Sequence, residues 1–498
     1  MKPLSFSLNL QLPLPSPDDK RADVERLRET AGIKERHIKN LHVPLELMRA
    51  LPTALREKNF SIKPVFGITG PCTGLLEIDS EQVFGIAVDI GTTNIVASLF
   101  DLKSIKKISE KNMTNPQTVY GDDILSRMHF AMSRGVEELQ RAVIGGLNSI
   151  IASLVDDAKI KTPEVFAVSV ASNTAMTHLL LGLDVSNIPV EPYIPVVHSP
   201  DFLKAGEIDL AVNPEATVYI FPNAGSYVGG DISSGILSIG IHKAEAPTVL
   251  IDAGTNAEIV VGMKDWLFVG AGAAGPALEG GIFSAGMRAQ SGAICRIDID
   301  SVTHEVKYKT IGDALPAGIC GSGVIDLIAE LFEKGIIDTM GRFRETAGVM
   351  ETENGPSFIV VRTERTTIEV SEREVNNFLR SKAAMFTSLH VLLKSLGLGF
   401  RDIDKIFIAG ALGSGVRIRK AIGIGMLPDI PVEKYIPANN SSLSGAELLL
   451  TNGGLYREVE KIRSMITYRE MNTDAEFMKE FPDALFLPHL NPDILTNG

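Results

Sequence analysis

The chain has 498 residues, enough for two or more packed units, and its 45% hydrophobic and 22% charged content is that of an ordinary globular protein. Its 48 basic and 61 acidic residues give a net charge of −13, which, with no basic tract, argues against nucleic acid as a main partner. No apolar run is long enough to span a bilayer and the proline-rich start MKPLSFSLNLQLPLPSP is no signal peptide, so a cytoplasmic protein without a membrane role is expected.

Residues 1–30 read as an extended proline-rich arm with a short helix over Arg21–Thr30. Residues 31–82 read as a small α/β module: helical spacing at Leu45, Met48, Leu51 and Leu55, then strands over Phe60–Ile68 and Leu75–Ile78 around Thr69-Gly70-Pro71. The cysteines, Cys72, Cys295 and Cys320, show no CxxC-like spacing, so no zinc site, iron–sulfur cluster or disulfide framework is expected within this chain.

Two apolar, β-branched runs then flank Asp89-Ile90-Gly91-Thr92-Thr93-Asn94, the pattern of a hairpin. A carboxylate, hydroxyls and a glycine in one turn suit phosphate oxygens and a hydrated Mg²⁺. After it, Asn115-Pro116-Gln117 and Tyr120-Gly121-Asp122-Asp123 lead into a helical pattern that runs to about Asp157, with a weak point at Gly145-Gly146. Arg127 reads as a solvated charge on that helix. Val165–Ser172 is a buried-strand candidate, and His178 in the following apolar run reads as a core histidine. Val218–Pro222 leads through paired glycines to Asp231 at the start of the helix Ile232–Ile239. Asp231 reads equally as a helix cap and as a carboxylate for Mg²⁺ or water.

The hairpin then recurs. In Val249–Gly262, Asp252, Gly254 and Thr255 repeat Asp89, Gly91 and Thr92, again between two apolar strands and followed by Asn256. A duplicated strand–Asp-x-Gly-Thr–strand unit predicts two similar half-domains serving one nucleotide. Further on, Gly270–Gly281 is glycine-dense, and Gly318–Gly323 opens a helix over Val324–Lys334, where Gly321, Ser322 and Gly323 form a candidate anion site and Cys320 reads as a buried thiol. Ser371-Glu372-Arg373-Glu374 is a capping box for a helix to about Leu396 that carries Lys382, a candidate nucleotide contact or a snorkelling lysine. The strand Lys405–Ala409 runs into Gly410-Ala411-Leu412-Gly413-Ser414-Gly415. Ser441–Ala446 starts a last small-residue helix, and Phe481–His489 reads as a docked tail.

These elements, in this order, resemble the actin, sugar-kinase and Hsp70 superfamily of ATPases. The resemblance implies an α/β fold of duplicated ribonuclease-H-like half-domains with a small N-terminal module. The expected division is arm 1–30, module 31–82, first ATPase subdomain 83–240, second subdomain with returning helix 241–455, and tail 456–498. It makes Asp89–Asn94 and Asp252–Asn256 the two phosphate loops, with Asp89, Asp231 and Asp252 catalytic and Asp89 and Asp252 holding Mg²⁺ through water. Gly410, Ala411 and Gly413 match its adenosine motif.

Within it, Asn115–Gln117, Tyr120–Asp122, Gly275–Gly281, Gly318–Gly323 and Phe486-Leu487-Pro488-His489 resemble the reductive activators of corrinoid proteins, from about residue 5 to the end of the chain. Such proteins use ATP to restore cob(I)alamin from cob(II)alamin, by removing a lower axial cobalt ligand. The resemblance implies a corrinoid protein partner and a homodimer. It departs at one point: the family's usual iron–sulfur domain ahead of the arm has no counterpart, so electrons are expected from a separate donor or a detached ferredoxin-like domain. A small-metabolite kinase using Asp231 as base, and a non-catalytic actin-like assembly protein, stay open as alternatives.

Overall fold

The computed structural model describes residues 2–36, 38, 40–254, 257–272, 283–363, 366–410, 415–471 and 474–497. The chain divides into two compact units, one of Met1–Ser238 with Ser442–Ser464, the other of Ile239–Ser441 with Met465–Gly498.

In the first unit the extended proline-rich start joins a sheet. Ser5–Ser7 pairs antiparallel with Val65–Thr69, which pairs in turn with Cys72–Glu77. The helices Asp23–Lys34 and Leu45–Glu57 cover this small sheet, burying Leu27, Leu51 and Leu55 against Phe66 and Leu75.

The larger sheet of this unit is built on the hairpin β1 (Phe84–Ile90) and β2 (Asn94–Asp101), continued by β3 (Lys106–Thr114) on one side. On the other side β4 (Val165–Ser172) runs parallel to β1, and β5 (Thr217–Ile220) runs parallel to β4. β1 reads as a nearly continuous apolar run because both of its faces are covered, whereas β3 at the edge alternates lysine and polar residues into solvent. The hairpin residues Val88, Ile90, Ile95 and Leu99 pack on Leu139, Val143, Leu147 and Leu154 of a long helix.

The helical stretch after β3 differs from the sequence expectation. It is two helices, α1 (Ile124–Arg134) and α2 (Glu137–Ala158), broken at Gly135, where φ is +91°. Gly145-Gly146 stays inside α2. A Cβ on Gly146 would lie 2.7 Å from the Pro116 ring, so this glycine admits a neighbour rather than a kink.

The second unit repeats the arrangement. The hairpin β6 (Thr248–Ala253) and β7 (Ala257–Met263) is continued by β8 (Trp266–Gly272), with β9 (Lys405–Gly410) parallel to β6 and β10 (Tyr435–Asn439) parallel to β9. The five strands thus stand in the same order and sense as β1 to β5. This is the duplicated actin-like ATPase fold. Its core joins Val249, Ile251 and Ile259 to Ile325 and Ile328 of the helix Gly321–Glu333, and to Phe378, Met385 and Leu389 of the helix Glu372–Ser395. Here α3 is Thr174–Leu181, α4 Gly230–Ile239, α5 Gly321–Glu333, α6 Glu372–Ser395 and α7 Ser441–Thr451. The capping box of α6 is formed as read: the Glu374 carboxylate accepts from Ser371 N–H at 2.8 Å, and Glu374 N–H donates to Ser371 Oγ.

Candidate functional site

In the first unit the Asp89–Asn94 turn closes with Gly91 N–H donating to Asn94 O at 2.9 Å. Gly91 is needed there, since a Cβ would sit 2.9 Å from that same oxygen. The Asp89 carboxylate projects from the end of β1 and accepts from Ser442 Oγ at 2.8 Å. Ser442 lies in the first turn of α7, so the returning helix is tied to the carboxylate of the first Asp hairpin. The helix can come this close because Gly445 meets α4 with no side chain; a Cβ there would lie 2.0 Å from Ser234 O.

Around the turn, Asn173 caps α3 through its Oδ1 and donates from Nδ2 to Thr92 Oγ1 at 3.1 Å. Asn115 donates from Nδ2 to Gly91 O at 2.9 Å, and its N–H donates to Thr93 O at 2.9 Å. Asn173, Asn115 and Ser442 were not singled out as site residues by the sequence. Their signals were an Asn before Thr at a helix start, an Asn-Pro after the third strand, and a Ser pair opening a helix.

Asp231 sits one residue inside α4 and takes Ile232 N–H on its Oδ1 at 2.8 Å, so it is a first-turn carboxylate and not the helix cap that was one of its two readings. Gly229 brings it against Asn173: a Cβ on that glycine would lie 2.4 Å from Asn173 Cα and 2.7 Å from Asp231 Oδ1. Burial, and secondly the Asp89 carboxylate, push the Asp231 pKa up to about 7. A carboxyl titrating near neutrality beside an ionised one is suited to taking up a proton, and the pair suits a divalent cation.

In the second unit Asp252 ends β6 as Asp89 ends β1. The β6–β9 register places Asp252 beside Ala409 and Ala253 beside Gly410. Gly410 has φ +67°, and a Cβ there would lie 2.5 Å from Ala253 O and 2.6 Å from Asp252 Oδ1. The strand end leading to the adenosine-like motif therefore abuts the second Asp hairpin. Gly254 is within the described turn, while Thr255, Asn256, Ala411, Gly413 and the Gly275–Gly281 stretch lie outside the described residues.

The glycines around the start of α5 have a packing reason. A Cβ on Gly323 would lie 2.2 Å from Ile294 O, and one on Gly318 2.5 Å from Ala285 O. Ser322 Oγ donates to Cys295 O at 3.3 Å. Gly323 thus has a packing reason in the close approach of α5 to the strand Ala293–Ile299, beside its reading as part of an anion site. Cys320 is buried and its thiol points to Ile294 O.

Lys382 is a correction to the sequence reading. It is fully buried, and its ammonium donates to Ala484 O, Phe486 O and Pro488 O at 2.6, 2.6 and 2.7 Å. All three N–H donors go to the tail and none is left for a nucleotide. Burial pulls its pKa down to about 7. His178 is the core residue expected: Nδ1 faces Thr174 O at 2.7 Å and Nε2 accepts from Val196 N–H at 3.0 Å. Arg127 is not solvated. It is fully buried and donates from Nε to Gly121 O at 2.9 Å.

Set beside known proteins, three successive family models cover the chain: the RACo linker region at residues 1–79, the RACo middle region at 84–244, and the C-terminal ASKHA domain of RACo at 246–497. The corrinoid activation enzyme RamQ of Eubacterium limosum is 32% identical over 418 residues, which is 80% of this chain and 70% of that protein. A [Co(II) methylated amine-specific corrinoid protein] reductase of Methanosarcina barkeri is 23% identical over 77% of this chain and 73% of its own length. The solved structure of a reductive activator for corrinoid, iron–sulfur protein superposes with a TM-score of 0.92 at 39% identity, covering 99% of this chain and 80% of that one. With family models matched along nearly its whole length, the chain belongs to the RACo family, the reductive activators of corrinoid proteins.

Proposed function

We propose that this protein is an ATP-dependent reductive activator that couples ATP hydrolysis to the reduction of cob(II)alamin to cob(I)alamin on a partner corrinoid protein of a methyltransferase system. The observation that carries the reading is the repeated Asp hairpin, Asp89 and Asp252 at matched ends of matched strands, in a chain of this family. ATP is held through Gly91, Thr92, Thr93 and Asn94 in one unit. In the other, Gly254, Thr255, Asn256, Gly410, Ala411 and Gly413 hold it, with Gly321, Ser322 and Gly323 belonging to the same reading.

The residues fit a divalent cation, since the Asp89 carboxylate already raises the proton affinity of Asp231. Asp89 and Asp252 would hold a hydrated Mg²⁺, which would supply charge neutralisation at the phosphates. Asp231 accepts the proton of the attacking water, and Asn173 and Ser442 hold Thr92 and Asp89 in place. The corrinoid protein is activated because it prefers one nucleotide state of the activator, so hydrolysis shifts its own equilibrium by that difference in affinity.

Cys72, Cys295 and Cys320 are unpaired thiols, and among the described residues no group of three or more His, Cys, Asp or Glu side chains converges on a metal. Three scattered thiols do not make up the ligand set of an iron–sulfur cluster. Electrons come from a separate low-potential donor or a detached ferredoxin-like domain. The protein acts in the cytoplasm as a homodimer in this reading, and light scattering at micromolar concentration checks the dimer.

The test mixes the chain anaerobically with a cob(II)alamin-loaded corrinoid protein, ATP, Mg²⁺ and a low-potential reductant, and follows the cob(I)alamin spectrum. Cob(I)alamin should form with ATP beyond the level the reductant gives alone. Equal spectra with and without ATP, across several corrinoid partners, would overturn the reading. A phosphorylated small metabolite as product would replace it with a kinase.

A further inference from the structure

The Asn115–Arg127 stretch lies behind the Gly91–Asn94 turn, and the nucleotide reading assigns it no task. Asn115 is bonded to Gly91 O and Thr93 O. Met176 Sδ lies 3.8 Å from Asn115 Nδ2 and 3.9 Å from Arg127 Nη1. Asn115, Met176 and Arg127 are all 0% exposed. A single layer of buried side chains thus separates the guanidinium from the backbone of the turn.

For a buried cation, Arg127 is poorly matched. Nε donates to Gly121 O, and Nη2 is buried with no acceptor among the described residues. None of the ion pairs formed among the described residues includes it. Asp123 and Asp122 attract it only through space, and Asp123 is committed as the cap of α1 through Ser126 N–H. Burial lowers its pKa to about 10, which leaves it charged at neutral pH. An enclosed charge without a counter-ion works against folding, and a Met or Leu would fill the position at less cost. Its field is also little screened, because only the buried side chains of Asn115 and Met176 lie between it and the turn. An anion seated on the turn would supply the missing counter-charge.

We propose that Arg127 is a positioning residue for phosphate: its unpaired charge biases the Gly91–Asn94 turn towards phosphoryl oxyanions, acting through Asn115 and Met176 rather than by contact. The proposal rests on the nucleotide reading of that turn. The shared ligand chemistry is a phosphoryl dianion, whether the terminal phosphate of ATP or inorganic phosphate.

The test is calorimetric titration of the full chain with ATP, ADP, adenosine and inorganic phosphate, for wild type, Arg127→Met and Arg127→Lys. Arg127→Met should bind ATP about tenfold more weakly, ADP less affected, and adenosine unchanged. Arg127→Lys, which keeps the charge, should recover most of the ATP affinity. A parallel loss for inorganic phosphate would assign the effect to the phosphoryl group alone, and its absence to the phosphate chain of the nucleotide; either supports the proposal. Ligand-free Arg127→Met should melt at or above the wild-type temperature. Equal weakening of ATP and adenosine, unchanged ATP affinity, or a variant that unfolds or melts well below wild type would overturn it by making Arg127 a structural staple. Wild-type chain that binds no nucleotide would sink the nucleotide reading and this proposal with it.

Discussion

Asp89 and Asp231, from the end of one strand and the first turn of a helix, share one electrostatic environment in the first unit, and the charge on Asp89 helps hold Asp231 near a pKa of 7. An ordinary aspartate titrates near 3.8, so the folded state favours the protonated form of Asp231. Its stabilising effect is therefore fully present below about pH 4 and is lost as pH rises from there through about 7. Asp231→Asn should raise the stability of the nucleotide-free protein at pH 8 by about 1–2 kcal/mol, allowing for partial solvent access, and leave it unchanged at pH 4. Urea denaturation at the two pH values checks this. ATP turnover of the wild type should rise with pH through about 7, and the Asn variant should lose about a hundredfold or more. A variant with normal turnover would remove Asp231 from the chemistry.

Asp89→Asn and Asp252→Asn should each lower ATP turnover by about a hundredfold, the loss expected for one pre-organised electrostatic contact. The fold should survive, because neither aspartate belongs to its unit's apolar core. Steady-state phosphate release together with a thermal melt separates the two effects. Near-normal turnover in both variants would sink the assignment of the hairpins.

The parts of the fold legible in the sequence are those fixed by local pattern. The two Asp hairpins, the strand Val165–Ser172 and the α6 capping box were set by apolar alternation and by residues a few positions apart. What was not legible depended on distant chain. Glycine marks either a turn or a close approach, and only the structure shows that Gly135 breaks a helix while Gly146 and Gly323 make room for Pro116 and Ile294. Lys382 looked like a nucleotide ligand because its partners lie about a hundred residues later in the tail. Arg127 looked solvated because a charged residue on a mixed helix usually is.

Lys382→Met should cost about 3 kcal/mol, since it leaves the tail carbonyls of Ala484, Phe486 and Pro488 without their donor while sparing the apolar stem. The 484–489 stretch should become sensitive to limited proteolysis. ATP affinity should stay within about twofold of wild type, as the ammonium has no donor left for phosphate. A large loss of ATP affinity with an intact tail would restore the nucleotide role.

Gly410 and Gly145 make opposite predictions from the same substitution. At Gly410 the backbone has φ +67° and a Cβ would press on Ala253 O at 2.5 Å and Asp252 Oδ1 at 2.6 Å. Neither can move cheaply, because β6 and β9 are hydrogen-bonded in register at this point. Gly410→Ala therefore carries about 1–2 kcal/mol of left-handed backbone strain and, in addition, displaces the second Asp hairpin. Its expected signature is a lower melting temperature together with ATP binding weakened about tenfold or more, since a carboxylate displaced by about an ångström loses its alignment. At Gly145 nothing lies within 4 Å of an added Cβ, and the residue is exposed inside α2. Gly145→Ala should stabilise by about 0.5–1 kcal/mol through helix propensity, with ATP affinity unchanged. Paired thermal melts and ATP titrations of the two variants test this. Equal behaviour of both, or a Gly410→Ala variant that binds ATP normally, would show that the end of β9 has no part in positioning Asp252.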